Sequence, residues 1–119
     1  MSRTVEVLNR DRGSTLGERI RLADRYWSRL RGLLGRKGLE EGEGLLIVPS
    51  RGIHMWGMRF PLDVLLLDEE RRVKALHPGI APGEATGFVK GVRYALEVPV
   101  GTIEATGTRE GDILEWETV

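Results

Sequence analysis

The run from Leu62 to Leu67, L-D-V-L-L-L directly behind Pro61, limits the possible folds more than any other stretch of the chain. Four apolar residues in a row, Val64 to Leu67, put apolar side chains on both faces of an extended strand. Such a strand must be covered twice, as in a sandwich or barrel core. The charged turn Asp68-Glu69-Glu70-Arg71 ends the run. It is also far short of a membrane span.

The segment that leads into it is amphipathic. Read as a strand from Ile53, one face carries His54, Trp56, Met58, Phe60, Leu62, Val64 and Leu66. The other carries Met55, Gly57, Arg59, Pro61 and Asp63 before turning apolar. Pro61 has no N–H to donate and belongs at a strand start, an edge or a bulge. The expectation is a short extended piece over 53–58, a bend near Gly57 to Pro61, and a main strand over 62–67. The bend has chemical consequences. On a straight strand Arg59 and Asp63 would stand about 13 Å apart. A bend could bring guanidinium and carboxylate together, or set Asp63 beside His54, a pairing that tunes an imidazole for acid–base work.

The remaining chain alternates short strands with turn signals. Thr4 to Leu8 alternates Val5 and Val7 against Glu6 and ends in N-R-D-R-G, and Leu16 to Ala23 follows as an antiparallel partner. Behind Asp24, Trp27, Leu30, Leu33 and Leu34 fall at helical spacing, so a helix is expected over about 25–34. Leu45 to Val48 reads as a core strand, and 72–76 as the hairpin partner of 62–67. His77-Pro78-Gly79-Ile80-Ala81-Pro82-Gly83 reads as an irregular loop, a kind of segment that often carries function. A strand with Tyr94, Leu96 and Val98 on one face comes next. A single helical turn, about 103–106, is expected behind Thr102 as N-cap, and a last strand over 113–117. Seven or eight short strands with one packed helix describe a mainly β (α+β) domain, an antiparallel sandwich or barrel-like fold. Strand and helix do not alternate in the manner of a doubly wound sheet.

Length supports one domain over 1–119 with a single core. There is no cysteine, hence no disulfide framework and no thiolate zinc site. With no apolar run of signal-peptide length, the simple expectation is a soluble protein in a reducing cytoplasm. The net charge of zero is unevenly spread: residues 1–37 hold ten basic and four acidic side chains, and the rest eight and fourteen. Seven of the basic residues lie within 19–37, a patch that reads either as a solvated helix face or as an anion or nucleic-acid surface. Aromatics are few, which argues against a nucleic-acid groove.

No phosphate loop, G-x-S-x-G elbow or cysteine nucleophile is present. Two histidines cannot build a three-histidine metal site. His54-Met55-x-x-Met58 has soft-metal ligands, but on a straight strand His54 and Met58 are far apart. Methionines of this kind are ordinary core filling. No metal and no cofactor are expected. The candidate ligand-binding residues are His54, Arg59, Asp63 and His77, with His54 and Asp63 also the candidate base and orienter of an enzyme.

Several motifs match in order and spacing: Arg31 to Arg36 (R-G-L-L-G-R), Gly44 to Ile47, the I-H-M-W-G-M-R-F-P-L-D-V run from Ile53, Tyr94 to Gly101, and Gly111-Asp112. Together they resemble the bacterial and archaeal family known as domain of unknown function 192, over roughly 22–114. The family's central motif often reads I-H-T-F-x-M-x-x-P-I-D, with Met55 and Trp56 here standing for Thr and Phe. The resemblance implies a compact β-rich fold and no particular activity. A small-ligand binding module with a polar site at the 54–63 bend is the first expectation. An enzyme using His54 with Asp63 is the alternative, and nucleic-acid or anion contact through the basic helix the third.

Overall fold

The computed structural model describes residues 3–24, 33 and 35–117. Seven strands form one sheet: β1 (Thr4–Asn9), β2 (Ser14–Ala23), β3 (Glu43–Ile47), β4 (Leu62–Asp68), β5 (Val73–Ile80), β6 (Val92–Val98) and β7 (Leu114–Glu115), with a short helix α1 (Thr102–Thr106) before β7. The strand order is β5-β4-β6-β3-β2-β1-β7. Every pairing is antiparallel except β2 with β3, which run parallel. A parallel pair needs a long crossover, and residues 24–42 provide it. The expected helix over 25–34 lies in this connection, outside the described residues apart from Leu33.

The sheet curls until its two edges meet at one end. Arg72 bridges to Ile113. Val73 N donates to Asp112 O (2.8 Å), Gly111 N to Val73 O (2.8 Å) and Leu114 N to Arg71 O (3.0 Å). The Arg71 guanidinium lies over the Trp116 ring, 3.8 Å from its centroid, and Tyr94 meets that ring edge-on. The result is a half-barrel, in keeping with the barrel-like, mainly β expectation.

Curling gives the sheet an inside and an outside, and both are packed. Val7, Ile20, Leu46, Leu65, Leu96 and Leu114 fill the inside, and Ile103 of α1 joins them. Leu45, Met55, Leu62, Val64, Leu66 and Ala95 form a second core on the outer face. All six residues from Leu62 to Leu67 are buried, so the apolar run is covered on both sides as its composition requires.

Three local expectations are corrected. Residues 53–58 are not a strand: only His54 makes a bridge, to Ala85. The chain then turns, with Met58 N on Met55 O (3.2 Å) and Gly57 at φ 76°. The loop expected over 77–83 is shorter, because His77 to Ile80 continue β5. Pro78 is tolerated there because β5 is an edge strand, where a missing N–H costs no ladder bond. Thr102 is not the N-cap of α1; Gly101 is, at φ 97°, and no side chain caps locally.

Gly44 on β3 marks a close backbone approach in the sheet. A Cβ there would sit 2.6 Å from Glu97 O and 2.7 Å from the Ile20 side chain. The carbonyl belongs to a paired strand and cannot step aside. Gly44→Ala is expected to destabilise the fold by about 2 kcal/mol through overpacking, read as a lower urea midpoint at unchanged m-value.

Candidate functional site

The sequence candidates separate into different environments. Asp63, at the start of β4, is 1 % exposed. Its Oδ1 accepts Gly79 N of β5 (2.8 Å), and its Oδ2 accepts Gly101 N (3.1 Å) and Ile103 N (3.0 Å). Three backbone amides thus occupy the carboxylate, which caps α1 from a strand 38 residues away in sequence. No hydrogen bond joins Asp63 to His54 or to Arg59 among the described residues. Arg59 is exposed.

His54 is also exposed, on a ribbon outside the sheet. That ribbon pairs 51–55 with 83–89: Met55 N donates to Glu84 O (2.7 Å), Gly83 N to Met55 O (3.0 Å), Thr86 N to Ile53 O (2.8 Å) and Val89 N to Arg51 O (3.1 Å). Met55 is the ribbon's anchor, fully buried in the outer core. The burial answers why methionine rather than a hydroxyl residue is tolerated here: the side chain fills apolar space. The flanking Trp56 is 77 % exposed, and its ring meets His54 edge-on, centroids 6.5 Å apart.

Strand register brings together residues that the sequence did not link. Arg21 on β2 lies opposite Leu45, Leu45 opposite Glu97 on β6, Glu97 opposite Val64, and Val64 opposite His77 on β5. Directly opposed residues share a face, so Arg21, Glu97 and His77 stand in one row across the outer side. Neighbouring strands lie about 4.8 Å apart, so Glu97 is roughly 10 Å from each of the other two backbones. His77 is half-buried.

Glu97 is the residue that sequence reasoning passed over. It is 5 % exposed, and its carboxyl has no hydrogen bond or ion pair among the described residues. Burial pushes that carboxyl up to about 7, against the lowering pull of the Arg21 charge. The available signal was an acid between Leu96 and Val98, in a strand whose other positions are mostly apolar. A second buried acid, Asp112, behaves in the opposite way. Arg12 grips it through two bonds (2.9 and 3.0 Å), and the Arg109 amide and Asn9 add two more. These donors hold Asp112 at about 2 despite its burial.

No group of three or more His, Asp or Glu side chains is arranged to hold a metal ion among the described residues. No helix among them is long and apolar enough to cross a membrane.

A curled seven-stranded half-barrel with both faces packed places the chain among small mainly β proteins. The chain belongs to the domain of unknown function 192 family, described as an uncharacterized ACR, whose model matches residues 7–116. A UPF0127 protein of Thermococcus sibiricus is 30% identical over 116 residues, covering 93% of this chain and 74% of that protein. A UPF0127 protein of Pyrococcus furiosus is 30% identical over 113 residues, covering 92% and 97%. A protein of unknown function from Novosphingobium aromaticivorans has the same fold, with a TM-score of 0.81 at 23% identity over 97% of this chain and 85% of that one. The motif resemblance and the fold it implied are both borne out.

Two outcomes follow from the acids. Asp63→Asn keeps the shape but turns an NH₂ toward amide donors, and is expected to cost about 3 kcal/mol of stability, measured by urea unfolding. For Glu97 the raised value sets the sign. The folded state holds the proton more tightly than the unfolded chain, so stability falls as pH rises from about 4.5 to about 7. The group's share of that loss is about 3 kcal/mol. Glu97→Gln should therefore match wild type near pH 4.5 and exceed it above pH 7, as read from paired urea melts across that range.

Proposed function

We propose that this protein is a small-ligand binding module whose site lies on the outer face of the sheet, at the 54–63 bend and the adjoining row of β5 and β6. The ligand is sugar-like, a small molecule rich in hydroxyl donors. Glu97 carries the reading: it is a buried acid that the fold leaves without a donor. No fully buried side-chain oxygen among the described residues lacks a partner, so the unpaired carboxyl reaches the surface, and an unpaired ionisable group at a surface is a recurring mark of function. Hydroxyl groups supply the hydrogen-bond donors that the carboxyl lacks. His77 shares its row, while His54, Arg59 and the exposed Trp56 form a polar and aromatic rim on the overlying ribbon. Asp63 acts behind them as the clamp that holds β4, β5 and α1 in place.

An enzyme built on His54 and Asp63 is less well supported, because both Asp63 oxygens already accept backbone amides. The third reading, through the basic helix, concerns residues outside those described.

The test is a thermal-shift panel of mono- and disaccharides, polyols, amines and organic anions at pH 7.5. A sugar or polyol should raise the wild-type melting temperature, as ligand linkage requires. Glu97→Gln and His54→Ala should lose that shift while still unfolding cooperatively. A flat panel, or variants that respond like wild type, would remove the reading.

A further inference from the structure

A second feature stands apart from the Glu97 row, where the ribbon meets the N-terminal end of β6. Phe88 is 87 % exposed, the most exposed large apolar side chain among the described residues. The backbone around it is tied down. Thr86 N donates to Ile53 O (2.8 Å), Val89 N to Arg51 O (3.1 Å), and Val92 N to Val89 O (3.3 Å). Gly87 at φ 76° and Gly91 at φ 84° bracket the turn with backbone angles that other residues rarely adopt. Phe88 is thus carried outward on a fixed turn, with its ring presented to solvent.

The same turn gathers positive charge. Arg51 is bonded through its carbonyl to Val89, the neighbour of Lys90, and Arg93 through its carbonyl to Ser50 N (2.8 Å), the neighbour of Arg51. Arg51, Lys90, Arg93 and Phe88 line one open cleft of about 710 Å³, with Glu69 its single acid. None of the three cations is engaged in an ion pair among the described residues. Elsewhere on the described surface, Arg3, Arg10, Arg12 and Arg36 each meet a carboxylate. With three cations against one acid, the cleft carries net positive charge beside an exposed aromatic face.

We infer that this cleft binds a nucleoside phosphate, with the phosphate held by Arg51, Lys90 and Arg93 and the base stacked on Phe88. Guanidinium groups match phosphate oxygens in geometry and charge. An aromatic ring stacks on any base without regard to sequence. The volume falls in the range of small-ligand sites. A bare anion would leave the ring unused, and an uncharged aromatic would leave three cations unused.

Calorimetric titration at low salt tests this with AMP, ATP, adenosine, inorganic phosphate and a short thymidine oligonucleotide. AMP and ATP should bind saturably, and each more tightly than adenosine or phosphate. Raising the salt should weaken them. Phe88→Leu keeps an apolar side chain but loses the flat face, and should weaken AMP by about tenfold. Arg51→Gln with Arg93→Gln should do at least as much. All are surface changes, so unaltered melting curves will certify the fold. The oligonucleotide arm separates the sources: tighter binding than AMP assigns the unit to a strand, and weaker binding to the free nucleotide, each retaining the site. The inference is overturned if no nucleotide binds saturably, if phosphate alone binds as well as AMP, or if both variants bind as wild type does.

Discussion

The Asp63 carboxylate is the interaction on which the arrangement depends. It sits where the two-sided apolar strand begins, and its oxygens take amides from β5, from the turn after β6 and from α1. Two of those amides open α1, which has no local side-chain cap of its own. Three donors at hydrogen-bond distance satisfy the buried side chain's oxygens. One side chain thus locks the start of the central strand to the edge strand beside it and to the helix that plugs the inner core.

The half-barrel follows from how that central strand must be covered. The inside is sealed by curling, with β7 brought to the start of β5 through Arg71, Val73 and Asp112. The outside cannot be sealed by the same sheet, so connecting segments do it. The ribbon of 51–55 and 83–89 lays Met55 onto Leu62, Val64 and Leu66. Connections used as a lid are the parts of such a fold most free to carry recognition groups. His54, Trp56, Arg59 and Phe88 all sit on or beside this ribbon.

Three buried acids in one small protein show how environment divides similar groups into different roles. Asp63 is satisfied by amides and Asp112 by Arg12, Asn9 and an amide, and both serve the architecture. Glu97 has the burial of the other two and none of their donors, so its proton is held well above the usual carboxylate range. Desolvation without compensation is unfavourable for folding.

The sequence by itself determined the strand content, the double burial of the 64–67 run, the hairpin after it, the bend before it and the helical turn near 103. Each of these rests on local periodicity, a proline, or glycine and charged turn residues, which act over a few positions. Only the tertiary structure decided the partners of Asp63, the parallel pairing of β2 with β3, and the row of Arg21, Glu97 and His77. Those depend on register between strands far apart in the chain, and a one-residue slip would turn each side chain to the other face. Pairing His54 with Asp63 from the sequence failed for the same reason: proximity along a bent chain does not say which donors from β5 and α1 reach the carboxylate first.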